Sequence, residues 1–125
     1  MIDPAQFDGQ DVVVVGGGDS ALEAAATLAE ETQARVTLTY RGEAFQRAKR
    51  RNRERVTAAA NEGLLEILLR TEIASISADR VTFKGEGQHP GTIRNDAVII
   101  CAGGILPTGF LESLGVEIVT KYGEA

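Results

Sequence analysis

Four β-branched residues in a row, Val12 to Val15, run directly into the glycines Gly16, Gly17 and Gly18 and then into an alanine-rich stretch. A short, wholly apolar β-branched run suits a central parallel strand covered on both faces. From Ala21 to Glu31, the apolar residues Leu22, Ala25, Leu28 and Ala29 recur at helical spacing, and alanine adds favourable propensity. Arg35 to Tyr40 reads as a second strand. Residues 12–40 therefore spell one βαβ unit, whose crossover is expected to be right-handed.

The turn inside that unit has the pattern G-x-G-x-x-A, with Gly16, Gly18 and Ala21 at the named positions. Gly16 permits a tight turn off the strand, Gly18 lets the backbone approach a diphosphate, and small Ala21 lets helix and strand pack closely. The free N–H groups and positive dipole end of the helix would meet the ligand's negative charge, with Asp19 and Ser20 beside it. A structural reading of the same residues makes Ser20 and Glu23 an S-x-x-E capping box, which would organise the same helix end.

The rest of the chain extends the pattern. A second helix is expected over Ala44 to Glu62, with Phe45, Ala48, Asn52, Val56 and Ala59 facing inward and Gly63 as its stop. Leu64 to Leu69 follows as the third parallel strand. Between Glu72 and Arg94, short strand-like pieces broken by Ala78-Asp79, Gly85-Glu86-Gly87 and Pro90-Gly91 predict a small antiparallel meander. Asp96 to Ala102 returns to a buried strand, and Gly115 to Ala125 reads as a peripheral strand and exit linker. The expected fold class is α/β: one Rossmann-like three-layer domain over residues 1–125, with a central parallel sheet, flanking helices and the meander.

Nucleotide choice rests on the end of the second strand. Sites for NAD place a carboxylate there for the ribose 2′-hydroxyl, whereas NADP sites place basic residues for the 2′-phosphate. Here the strand ends at Tyr40 and Arg41, and Arg47 follows on the next turn. NADPH is favoured, with NADH as the alternative, because an arginine fork donates two hydrogen bonds to a phosphate. Seven of the thirteen Lys and Arg residues lie between Arg41 and Arg55. Lys49, Arg50, Arg51, Arg53 and Arg55 read as a solvated helix face. A nucleic-acid groove is disfavoured by the net charge of -5 and the lack of interleaved aromatics.

Several chemistries find no residues to carry them. Cys101 is the single cysteine and sits in an apolar strand, so it reads as a small buried hydrophobe. His89 adjoins Pro90 and Gly91 and reads as a loop residue. Neither a catalytic side chain nor a metal-ligand spacing can be argued. Met1 to Gln10 lacks the flank and apolar run of a secretory signal, and no apolar stretch nears the roughly 20 residues that span a bilayer. The expectation is a cytoplasmic protein without membrane or nucleic-acid partners.

Taken in order, GGGDSALEAA, YRGEAFQRAK, NDAVIICAGGILPTGFL and GVEIVTKYG resemble the NAD(P)H-binding domain of thioredoxin-reductase-like pyridine nucleotide-disulfide oxidoreductases. The resemblance runs over nearly the whole chain. It implies that Gly16, Gly17, Gly18, Asp19, Ser20 and Ala21 line the pyrophosphate, that Arg41 takes the 2′-phosphate, and that Ala102, Gly103 and Gly104 form a later turn near the cofactor cleft. It further implies insertion in an FAD-binding domain of a larger flavoprotein, so that the isolated chain would bind cofactor without turnover and leave FAD to its partner domain. Thioredoxin-reducing members carry His-Arg-Arg where this chain has Tyr40, Arg41 and Gly42, and an Arg after the Phe where it has Gln46. They also carry a Cys-x-x-Cys pair upstream of the glycine turn, which is missing here; the chain is closer to members without that pair. The alternative function is a stand-alone, non-catalytic NAD(P)-sensing module with a protein partner.

Overall fold

A computed structural model describes residues 4–46 and 48–101 together with the backbone of residues 117–120. A short 3-10 turn, Pro4–Phe7, leads into β1 (Asp11–Val15), α1 (Asp19–Glu31), β2 (Arg35–Tyr40), α2 (Arg50–Asn61) and β3 (Leu65–Leu69). Then come β4 (Glu72–Ile76), β5 (Arg80–Lys84), β6 (Thr92–Arg94), β7 (Ala97–Ile100) and β8 (Glu117–Thr120). Five strands form a parallel sheet in the order β3-β2-β1-β7-β8, and β4, β5 and β6 form a separate antiparallel sheet.

The valine run fails to alternate because β1 is covered on both faces. Val12 and Val14 join the core under the helices, while Val13 packs with Leu68, Ile76, Val81, Phe83, Val98 and Ile100 in a second core under the antiparallel sheet. Neighbouring β7 divides the same way, Ala97 and Ile99 to one side and Val98 and Ile100 to the other. Each fully buried Val, Leu or Ile side chain contributes about 1.5–3 kcal/mol of transfer free energy, so two cores on one strand make β1 the centre of the fold.

Chirality decides which layer lies where. Going from β1 to β2 to β3 the chain steps outward in one direction, and right-handed crossovers put α1 and α2 on the same face. Returning from β3 to β7, beside β1, the chain steps the other way, and the same handedness sends that connection over the opposite face. The connection is the meander itself. The three expected layers are therefore helices, parallel sheet and antiparallel sheet, with no helix of the described residues on the second face.

Boundaries differ from the sequence reading in instructive ways. Phe45, Ala48, Asn52, Val56 and Ala59 are all buried, yet α2 begins only at Arg50, not at Ala44. Ahead of the helix, Phe45 stacks on Tyr40 with ring centroids 5.7 Å apart. Helix α1 begins at Asp19 with Gly18 as its N-cap and no side-chain cap, so Ser20 and Glu23 form no capping box; Ser20 already lies inside the first turn. Among the described residues no helix is long and apolar enough to cross a membrane.

Candidate functional site

Reversal of strand order between β2 and β7, on either side of β1, opens a crevice beyond the carboxyl ends of the strands, the place where open α/β sheets bind ligands. The residue at the tip of β1 is Gly16. Its amide donates to the Thr39 carbonyl at 3.0 Å and the Cys101 amide donates to Val15 at 2.9 Å, so all three central strands end level. At φ +139, Gly16 occupies backbone that L side chains rarely adopt, and a Cβ there would stand 2.8 Å from the Cys101 carbonyl oxygen and 3.1 Å from Ala21 Cβ. The G-x-G-x-x-A spacing thus has two visible causes: close passage of the turn past β7, and close seating of α1 on β1.

Beyond Gly16, the first turn of α1 presents backbone N–H groups that no intrahelical carbonyl can reach, and Gly18 supplies no side chain to take them. Such an end suits an anion. Ala21 is fully buried at the helix–strand contact, while Ser20 is half-buried at the start of the helix. Gly17 is buried beneath the Tyr40 ring: a Cβ on Gly17 would lie 2.6 Å from it. The same ring rests on Gly42, where a Cβ would be 2.5 Å away. Tyr40 is therefore wedged between two glycine backbones and against Phe45, which fixes the exit of β2.

The Asp19 side chain turns toward α2. Its Oδ1 accepts the Lys49 amide at 2.7 Å and Asn52 Nδ2 at 2.8 Å, and Asn52 also donates to Glu23 at 3.3 Å. The Lys49 amide, then the Asn52 side chain, hold the Asp19 carboxyl below its ordinary range. Lys49 is the N-cap of α2, so a carboxylate on α1 caps the next helix. In the sequence Asp19 reads as a pyrophosphate neighbour and Asn52 as an inward-facing helix position, but their bond to each other does not show there, because the partners are some thirty residues apart and only packing of α1 on α2 brings them together.

Arg41 is exposed just past β2, and no carboxylate among the described residues pairs with it. Two other arginines in the basic run are engaged: Arg50 with Glu54 at 3.0 Å, and Arg55 with Glu30 at 2.8 Å, a bond that raises the Arg55 pKa. These contacts agree with a helix face rather than a polyanion groove. Arg47, Ala102, Gly103 and Gly104 lie outside the described residues. His89 Nδ1 accepts the Gly91 amide at 3.1 Å, a local turn contact, and Cys101 is buried. Among the described residues no group of His, Cys, Asp or Glu could hold a metal. An open hollow of about 740 Å³ lies at the opposite, amino-terminal edge of β2 and β3, lined by Thr32, Arg35 and Leu64 among others. It is remote from the glycine turn and shares no residue with it.

The chain matches the family model of pyridine nucleotide-disulphide oxidoreductases over residues 1–123. It is similar to a ferredoxin–NADP reductase of Thermus thermophilus, at 35% identity over 91% of this chain and 35% of that protein. It is also similar to the bacilliredoxin reductase Bdr of Bacillus subtilis, at 33% identity over 94% of this chain and 36% of that protein. Among solved structures, the bacillithiol disulfide reductase Bdr of Staphylococcus aureus superposes with a TM-score of 0.72 at 32% identity, covering 96% of this chain and 37% of that one. A thioredoxin reductase of Streptococcus pyogenes gives 0.66 at 26% identity, over 81% of this chain and 33% of the other. The chain thus spans little more than a third of the length of the curated relatives it matches.

Proposed function

This chain belongs to the pyridine nucleotide-disulphide oxidoreductase family, and from that premise we propose that it binds NADPH and presents the nicotinamide to a flavin held elsewhere in the protein. The observation that carries the reading is the strand–glycine–helix turn at the point where strand order reverses. The amides of Gly18, Asp19 and Ser20 at the start of α1 would hold the diphosphate, with Gly16 and Ala21 keeping the turn tight enough for close approach. Gly17 serves a second need, leaving room for the Tyr40 ring. Arg41, and Arg47 from the following segment, would receive the 2′-phosphate. Ala102, Gly103 and Gly104 would border the nicotinamide side, as the family resemblance implies.

When bound, the nicotinamide supplies a hydride to the flavin; the protein's part is binding and orientation. The proposed partner is an FAD-binding domain, supported by relatives nearly three times as long as the matched segment. The proposed setting is the cytoplasm, with neither membrane nor nucleic acid as partner. Titration of the chain with NADPH and NADH, followed by nicotinamide fluorescence, tests the reading. Tighter binding of NADPH, without turnover in the absence of a flavin domain, is expected. Absent binding removes the site, and equal binding removes the role of Arg41.

A further inference from the structure

Every described residue with positive φ is glycine except one, Arg70, at φ +51. Left-handed backbone is costly for a residue with a Cβ, and glycine or asparagine would occupy it more easily. Such conformations persist only where the surroundings enforce them, and they gather at functional sites.

The surroundings of Arg70 do enforce it. It immediately follows β3, at the carboxyl edge of the parallel sheet. Its amide donates to the Gly42 carbonyl at 3.0 Å, and the next amide, of Thr71, donates to the Tyr40 carbonyl at 3.1 Å. These bonds set Arg70 beside the loop that starts with Arg41. From the meander side, the Arg70 carbonyl accepts the Gly87 amide at 3.0 Å. A Cβ on Gly85 would stand 2.3 Å from the Arg70 carbonyl oxygen, and one on Gly87 1.8 Å from that of Leu69. Glycines on both flanks clamp a strained arginine in place.

Charge points the same way. Position 42 has no room for a side chain, because the Tyr40 ring fills the space where its Cβ would go. The residue next to Arg41 therefore supplies no second cation, and the end of β3 brings one from across the sheet. Arg70 is exposed and, like Arg41, Arg51, Arg53, Arg80 and Arg94, joins no ion pair among the described residues; what sets it apart is its place beside the loop that starts with Arg41. An unpaired guanidinium is free to grip a phosphate with two parallel hydrogen bonds. We infer that Arg70 is a specificity-determining residue that, together with Arg41, receives the ribose 2′-phosphate of NADPH. The inference rests on the NADPH reading above and adds to it a residue outside the glycine turn and the segment after β2.

The test compares wild type, Arg70→Asn, Arg70→Lys and Arg41→Asn in the full chain. Each is titrated calorimetrically with 2′,5′-ADP and 5′-AMP, ligands that differ only in the 2′-phosphate. Asparagine tolerates the left-handed backbone, so Arg70→Asn should fold. It should weaken 2′,5′-ADP by about tenfold, the worth of a charge-assisted hydrogen bond, and leave 5′-AMP unchanged. Arg70→Lys should recover part of the loss. If Arg70→Asn keeps the wild-type ratio of the two affinities, or lowers both alike, Arg70 has no part in phosphate recognition. That outcome is distinct from failure of the NADPH reading, in which the wild type itself shows no preference for 2′,5′-ADP.

Discussion

Gly16 is held by two constraints at once, a φ of +139 and a gap too small for a methyl group beside the Cys101 carbonyl. Gly16→Ala should therefore destabilise the chain by about 1–3 kcal/mol, the usual cost of a residue forced into forbidden backbone, and it should abolish dinucleotide binding. A thermal melt and an NADPH titration check the two effects separately. The neighbouring glycines are legible in the sequence only as a pattern. That Gly17 and Gly42 both make room for one ring could not be read there, since the residues are separated by a whole helix and strand. Arg70 was likewise invisible: it stands nowhere near Arg41 in sequence and becomes its neighbour through the β2–β3 register.

Among the elements, α1 and α2 are joined by a cap and a clasp. The cap is Asp19 on the Lys49 amide and Asn52; the clasp is Arg55 on Glu30 and, at 3.3 Å, on Thr27. Because the Asp19 carboxyl is held below its ordinary range, its folded form favours the charged state. The stability it gives is complete above the ordinary carboxylate value, near pH 4, and is lost as pH falls through the lowered folded value. Asp19→Asn, which can still accept the Lys49 amide, should flatten the acid limb of a stability–pH curve measured by urea midpoint, and should lower neutral stability toward the acid value of the wild type because the charge-dependent part is gone. Asp19→Ala should lower stability at both ends of the range. Arg55→Ala should cost no more than about 1 kcal/mol, because both partners remain more than a third exposed. The start of α2 belongs to this scale too: inward-facing positions were legible from their spacing, but the helix begins only at Arg50, where Asp19 of another helix meets the Lys49 amide.

For the whole molecule, two hydrophobic layers share one sheet, and α1 supplies much of the first. Leu22, fully buried beneath it, should cost about 2–5 kcal/mol when replaced by alanine, measured by denaturant unfolding. Topology sets the site as firmly as packing does, since a glycine turn binds a ligand only where strands diverge and the crevice stays open. The amino-acid sequence alone determined the βαβ unit, the place of the glycine turn and the central, doubly covered role of the valine strand, because those depend on residues close along the chain and on side-chain period. Tertiary structure alone decided that the meander forms the third layer, that Asp19 caps α2 and that Arg70 stands beside Arg41. Each of those depends on crossover handedness, helix packing or strand register, which join distant residues and leave no local trace.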